Sequence, residues 1–444
     1  MHKRILVVGA AMTLAGVLAA QESAPLRLSL RRALELATSP EGSIRIQLSS
    51  ELAKQSEAKS ALARGALLPS LDAQVSEQNM NRSLAAFGLS NTSPVSGLGF
   101  PSVVGPFNVF DARATVSQSV LDFSSIRRYQ SSKVAVSAAR AETDRTREQV
   151  EAQVAKAYLA AIKADADRTA VCANIVLAEA VLNQAANLKA AGTGTGIEVT
   201  RARVQLTSEK QRMLVTENQW RRAQLELLRT MNMRLDTQLD LTDALAFTPV
   251  DAAALQQAKD LALKQRNDLV AQQRREETAR LSASASRMEH LPSVSAFADY
   301  GSIGSGIQNA LPTRTMGIAI RLPIFDGGRR EARRAEAESQ LRQERLRTAD
   351  LRDQIGLDVR LALDGLGSAA EEVKVAEEGL NLSENELAQA QRRYQAGVTT
   401  GIEVTDAQTR VARARDNRIA ALFHHAQARI DLGQASGTLQ AMLP

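Results

Sequence analysis

One six-residue string occurs twice in this chain of 444 residues, and it constrains the fold more than any other feature. Thr195-Gly196-Ile197-Glu198-Val199-Thr200 returns unchanged as Thr400-Gly401-Ile402-Glu403-Val404-Thr405, a displacement of 205 residues (400 − 195). The preceding Ala191-Gly192 returns as Ala396-Gly397 at the same displacement. Two looser echoes occur in the same order. Leu68-Pro69-Ser70-Leu71 parallels Leu291-Pro292-Ser293-Val294 at 223, and Val120-Leu121-Asp122-Phe123 parallels Ile324-Phe325-Asp326-Gly327 at 204. A fold built of two similar units accounts for this self-similarity. The drop in displacement gives the first copy 19 additional residues (223 − 204) between its Leu-Pro-Ser and its Leu-Asp-Phe. From there to the glycine-rich turn the displacement moves by a single residue. A tolerant part followed by an intolerant one describes a free loop and then an element of fixed span.

Each copy opens on alternation. Leu71, Ala73 and Val75 stand against Asp72, Gln74 and Ser76, while Met316, Ile318, Ile320, Leu322 and Ile324 stand against Gly317, Ala319 and Arg321. Period two marks a strand with one apolar face, and about nine residues can cross a membrane as a tilted strand. The Ser-, Asn-, Gly- and Pro-rich stretch from Asn79 to Asp111 reads as a loop. A soluble hairpin has the same local pattern.

Helix follows. Neither proline nor glycine interrupts the chain between Phe123 and Ala191, and about 68 residues at ~1.5 Å each extend roughly 100 Å. Val150, Val154, Ala157, Ala161, Ala164, Val171, Ile175, Ala178, Leu182 and Ala185 keep a 4-3 spacing, broken at Arg168. Val199, Ala202, Leu206, Met213, Trp220, Ala223 and Leu227 continue it, as do Val404, Ala407, Val411, Ala414, Ala421, Ala428 and Leu432 in the second copy. This is an alanine-rich coiled-coil seam, suited to close helix approach. The turn between the helices contains Gly192, Gly194 and Gly196. A phosphate-binding glycine loop should follow a strand; this one follows a helix and reads as a helical hairpin turn.

Composition limits the function. Aromatic content is 3%, which suits long helices packed through small side chains better than a large globular core. Lys3 and Arg4 precede an apolar or small stretch from Ile5 to Ala20, the pattern of a secretory signal over residues 1–20 with cleavage between Ala19 and Ala24. A retained anchor is the alternative, although the stretch falls short of a ~20-residue span. No other segment reads as long and apolar enough for a membrane helix, which excludes a helical transporter on this reading. No cysteine follows the signal core at Leu18-Ala19-Ala20-Gln21, so lipid attachment there is not expected. Cys172 is the single cysteine and sits in the helical pattern, where plain packing is expected. The net charge of +6 falls to about +4 without Lys3 and Arg4, and the arginines alternate with glutamates along helices. Solvated helix faces explain that pattern, so nucleic acid is not an expected partner. The histidines are His2, His290, His424 and His425, with no carboxylate at helix-ligand spacing. The adjacent His424 and His425 point to different sides of a helix. No metal site, cofactor or catalytic constellation is read, and an enzyme is not expected.

Strand edges cannot stay unpaired in hydrocarbon, and closed membrane barrels start at eight strands. Two hairpins supply four strands, so several chains would have to share one barrel. At this point the sequence resembles the TolC-like outer membrane factor family, the exit ducts of tripartite efflux pumps and type I secretion systems. The resemblance covers nearly all of the mature chain. It rests on Leu68-Pro69-Ser70 and Leu291-Pro292-Ser293, on Pro323-Ile324-Phe325-Asp326-Gly327-Gly328, and above all on Tyr394-Gln395-Ala396-Gly397 followed by Gly401-Ile402-Glu403-Val404-Thr405-Asp406-Ala407-Gln408.

The resemblance implies a mainly α chain with a pair of membrane β-hairpins. Three copies would form a 12-stranded β-barrel continuous with a long coiled-coil α-helical barrel across the periplasm. Residues 26–232 would form the first repeat (helix, β-hairpin, long helical hairpin), 233–255 a connecting equatorial segment, and 256–440 the second repeat. The segment from Arg234 to Leu255 and the chain ends would make a small mixed region around the tunnel's middle. The implied partners are two further copies, a periplasmic adaptor protein, an inner-membrane pump or ABC exporter, and outer-membrane lipid. The turns at Gly192, Gly196, Gly397 and Gly401 would dock the adaptor. Glu403 and Asp406, one helical turn apart, would form the periplasmic gate, with Tyr394 among the contacts that hold it closed. Glu198 matches in the first copy, but Arg201 stands where a second acid is expected. The alternative from another class is a periplasmic structural coiled coil without a channel; a stand-alone diffusion porin would need many more strands in one chain.

Overall fold

The computed structural model describes residues 25–39, 41–87, 101–249 and 252–442. The signal segment at 1–20, its cleavage region and the centre of the first hairpin loop lie outside the described residues.

Four strands form one antiparallel sheet: β2 (Ser70–Ser83), β3 (Val103–Leu121), β5 (Ser293–Gly304) and β6 (Leu311–Arg321), in the order β2-β3-β5-β6. The register carries the apolar alternation across every strand. Leu71 pairs with Val116, Val116 with Ala298, and Ala298 with Met316. The next row, one residue along, is Asp72, Thr115, Asp299 and Thr315. On the apolar side Leu71, Val75, Met316, Ile318 and Ile320 are each at least 70% exposed in the single chain. On the polar side Arg113 bridges Asp111 at 2.8 Å and Asp299 at 3.5 Å.

The strands depart from expectation in two places. The stretch expected to be loop from Asn79 to Asp111 is partly strand, because Met80 pairs with Phe107 and Ser83 with Val103. The Asn79–Ser83 side lacks strand formers and pairs through its backbone, whereas Val103, Val104, Phe107, Val109 and Phe110 are strand formers that the turn-type residues Gly105 and Pro106 concealed. At the other end β6 stops at Arg321, leaving Leu322 and Ile324 outside the ladder. Pro323 has no N–H to donate, and Gly327 and Gly328 adopt φ of 72° and 81°, turning the chain into the next helix.

The helices run in two hairpins. The chain passes from β3 through Asp122, whose carboxylate accepts from the backbone N–H of Ser124 and Ser125, into α3 (Phe123–Ala190). It returns along α4 (Gly196–Thr230). The second hairpin consists of α7 (Arg329–Gln395) and α8 (Gly401–Ser436). The long helices have 68 and 67 residues and the return helices 35 and 36. Two 22-residue helices, α2 (Ile44–Gly65) and α6 (Asn267–Met288), precede the sheet hairpins. Every residue assigned to the seam is buried or half-buried. Arg168, which breaks it, lies 4.6 Å from the Trp220 ring, a cation–π contact between α3 and α4.

Two further expectations need correction. Cys172 is exposed instead of packed, its Sγ 4.0 Å from the Met213 sulfur. One 18-residue window of α3 is also apolar enough, by composition, for a membrane span. Only 28% of that window is buried in the single chain: Val171, Ala178, Val181 and Ala185 lie in the seam, while Val176 is 67% exposed.

A small mixed region packs against the middle of α3 and the C-terminal ends of α4 and α8. β1 (Leu26–Leu28) pairs in parallel with β4 (Leu239–Leu241). The hydroxyl of the fully buried Tyr158 lies 2.8 Å from the Leu28 carbonyl and 2.9 Å from Asp243, its one proton shared between these two acceptors. Asp243 in turn accepts from the N–H of Leu30 at 2.7 Å, in α1 (Leu30–Thr38). Leu28, Leu227, Leu228, Met231, Leu239 and Ile430 complete this core. Of the paired histidines, His424 is exposed beside Glu372, whereas His425 is buried with its ring 4.6 Å from Phe247.

Candidate functional site: the paired helix turns

The two turns are built alike. Gly192 and Gly397 follow the helix ends with φ of 76° and 71°, a left-handed conformation that glycine adopts without strain. Nothing lies within 4 Å of where a Cβ would sit on either, so backbone conformation, not space, demands glycine. The last carbonyls are closed by Thr193 N–H to Leu188 at 3.0 Å and by Val398 N–H to Arg393 at 3.0 Å. Thr195 and Thr400, both extended, stand at the N-caps of the return helices, so that Gly196 and Gly401 become first helical residues.

From this common frame the two glutamates take different partners. Glu198 accepts from the Thr195 N–H at 3.0 Å and the Thr195 hydroxyl at 3.2 Å. Its other oxygen accepts from the Gly401 N–H at 3.2 Å, 203 residues away. One carboxylate thereby stabilises the N-termini of both return helices, where the helix dipole also favours a negative charge. The Thr195 N–H above all, with the Gly401 N–H and the nearby Arg201 charge, holds the Glu198 carboxyl below the usual carboxylate range against partial burial. Glu403 does not reciprocate toward Gly196. It accepts from Arg393 at 2.8 Å and from the Thr399 hydroxyl, within its own turn.

Tyr394 lies behind these contacts, 5% exposed, with its hydroxyl buried and without a hydrogen-bond partner. Burial and then the Glu198 charge push its phenol up. A Cβ on Gly401 would sit 3.6 Å from both the Tyr394 ring and Glu198, which measures how closely the two turns approach. Val181, Ala185, Ala202, Leu387, Ala390, Val404, Ala407 and Val411 fill the interior beneath.

Of the residues picked out from sequence, Glu198, Gly401 and Tyr394 come together, and Glu403 turns aside to Arg393. Arg201 and Asp406 are exposed and, among the described residues, neither has a hydrogen-bond or ion-pair partner. Sequence reading missed Arg393 and Thr399, although a basic residue in the last turn of a helix is itself a signal. It also missed a polar layer further along the hairpins. There Arg212 pairs with Asp416, Arg415 donates to Asn174 at 3.1 Å, and Gln408 donates to the Leu177 carbonyl at 3.3 Å. Glu209 is 7% exposed in this layer, and burial pushes its carboxyl up.

Comparison with known proteins gives a consistent answer. The family model described as outer membrane efflux protein matches residues 50–233 and 258–438. The pyoverdine export outer membrane protein OpmQ of Pseudomonas putida is 24% identical over 338 residues, 74% of this chain and 70% of its own. Among solved structures, the outer membrane protein VceC of Vibrio cholerae superposes with a TM-score of 0.78 at 17% identity, over 92% of this chain and 96% of that one. The Campylobacter jejuni CmeC outer membrane channel gives 0.78 at 15% identity, over 98% and 94%. The open state of the Neisseria gonorrhoeae MtrE channel gives 0.77 at 18%, over 92% and 89%. With the family model spanning both halves, the chain belongs to the outer membrane efflux protein family, outer-membrane channels that extend into the periplasm and carry out efflux without being enzymes.

Proposed function

We propose that three copies of this chain form the exit duct of a tripartite efflux pump or type I secretion system, a passive conduit gated at the paired helix turns. The observation that carries this reading is the sheet. Its apolar row crosses all four strands, and its outer strands β2 and β6 have free edges. Burying that row in lipid requires the edges to be paired, because an unpaired backbone group in hydrocarbon costs several kcal/mol. Four strands are too few to close a membrane barrel and twelve are enough. The 12- and 11-residue strands β5 and β6 match a tilted crossing. A periplasmic coiled coil without a channel would instead leave Leu71, Met316, Ile318 and Ile320 facing water.

At the turns, the Glu403–Arg393 pair ties α7 to α8 within the second hairpin, while the Glu198 bond to Gly401 and the buried Tyr394 hold the two hairpins of a chain together. Opening the entrance means separating them, so Glu403, Asp406, Tyr394, Glu198 and Arg201 form the gate. The turns at Gly192, Gly196, Gly397 and Gly401 dock the periplasmic adaptor, which links the duct to an inner-membrane pump or ABC exporter. In support, Ile197, Val398 and Ile402 are 58%, 70% and 44% exposed at the turns, apolar side chains that a partner would cover. The test combines chemical cross-linking in outer-membrane fractions with planar-bilayer recording of the Glu403→Ala, Asp406→Ala double variant. Trimers whose conductance and ion selectivity both shift are expected. Unchanged values would remove the gating role, and a soluble monomer would remove the duct.

A further inference from the structure

The displacement of 205 residues that relates the turns sets Arg201 against Asp406 (406 − 201). Each immediately precedes a buried alanine, Ala202 at 4% exposure and Ala407 at 0%. Both alanines belong to the apolar cluster beneath the turns. One residue back along a helix is about 100° of rotation, so Arg201 and Asp406 occupy equivalent faces of two equivalent hairpins. One turn nearer the tip, Glu198 and Glu403 are already engaged within the chain. The two positions at the next level carry opposite charges, and among the described residues neither has a hydrogen-bond or ion-pair partner, although the Arg201 charge also bears on Glu198. Inside one chain they do not pair, although the boundary between its hairpins is closed by the Glu198–Gly401 bond. The boundary still to be formed is the one with a neighbouring copy.

We propose that in the trimer three Arg201 and three Asp406 form one mixed ring at the entrance, the arginine of each copy set against the aspartate of the next. This rests on the trimeric duct reading. The ring carries no net charge, so Arg201 offsets the cation preference that a layer of three carboxylates would impose. It also adds an electrostatic contact between copies that registers one hairpin against its neighbour.

Charge exchange tests it, with planar-bilayer reversal potentials of purified protein as the readout. Arg201→Gln unpairs three carboxylates and should raise the cation-to-anion permeability ratio by at least about fivefold, the effect on a cation of a single carboxylate at contact in water. Asp406→Asn should lower the ratio by a similar factor. Arg201→Asp and Asp406→Arg should each shift it further in their own directions, and the double exchange should return it close to the original. If Arg201→Asp does not assemble, recovery of trimer in the double exchange supports the ring equally. An exchange no closer to wild type than the single variants would overturn the ring. The same holds if Asp406→Asn changes selectivity while Arg201→Gln does not, and the duct reading then stands without it. Wild-type protein that forms no conducting trimer overturns both.

Discussion

Replacing Glu198 by Gln probes the link between the two turns with little change of shape. The carboxylate now accepts from Thr195 N–H at 3.0 Å and Gly401 N–H at 3.2 Å. A hydrogen bond to a charged group contributes ~1.5–3 kcal/mol and a neutral one ~0.5–1.5; Gln keeps only one acceptor oxygen for the two N–H groups, so even where that oxygen stays on Gly401 the bond between hairpins weakens by about 1 kcal/mol in each chain. That is about fivefold in the ratio of joined to separated turns, and about a hundredfold if three chains of a trimer must separate together. Helix packing deeper in the hairpins is untouched, so thermal unfolding should hardly move. Single-channel recording should show Glu198→Gln trimers spending far more time in high-conductance states than wild type. The wild-type link should also depend on acidity. Because the folded pKa lies below the ordinary value of 4.5, the stabilisation is complete above that value and is lost as pH falls through the depressed one. Glu198→Gln should lack this dependence. Traces indistinguishable from wild type at neutral pH would refute the reasoning, since the bond would then not restrain the entrance.

Three other outcomes are expected. Burial pushes the Glu148 carboxyl up to about 7 despite the donor Asn267, so the folded state holds a proton that the unfolded state releases. This contribution to thermal stability should therefore be lost as pH rises from about 4.5 to about 7, and the melting temperature of Glu148→Gln should fall less over that window than that of wild type. Tyr158→Phe removes the one proton that the Leu28 carbonyl and Asp243 share and should cost about 1–3 kcal/mol, read as a lower denaturant midpoint. Ile318→Arg, in the middle of the apolar face of β6, should cost ~2–4 kcal/mol at a membrane midplane; the measurement is loss of trimer from the outer-membrane fraction.

Much of this architecture is local and was legible before any coordinates. The run without glycine or proline after Phe123 became a 68-residue helix, and the spacing of alanine and valine marked the buried seam. The strand alternation was visible where side chains announced it. It was hidden from Asn79 to Ser83, where the residues have little strand preference of their own, and from Val103 to Phe110, where Gly105 and Pro106 masked the strand formers Val103, Val104, Phe107, Val109 and Phe110.

At the turns the division is sharper. The sequence by itself determined where the turns are, because Gly192 and Gly397 must take a backbone conformation that few other residues tolerate, and the repeat marks them twice. It also singled out Glu198, Glu403, Asp406 and Arg201 as the charged residues beside them. Only the tertiary structure decided which of these charges are engaged within the chain. Identical strings carry Glu198 to the N-terminus of the other hairpin and Glu403 back to Arg393, while Arg201 and Asp406 stay in solvent. The reason is physical: a carboxylate's partner is set by distance in space. Groups two hundred residues apart meet only after both hairpins have packed, and the copies of a repeat then differ through their surroundings.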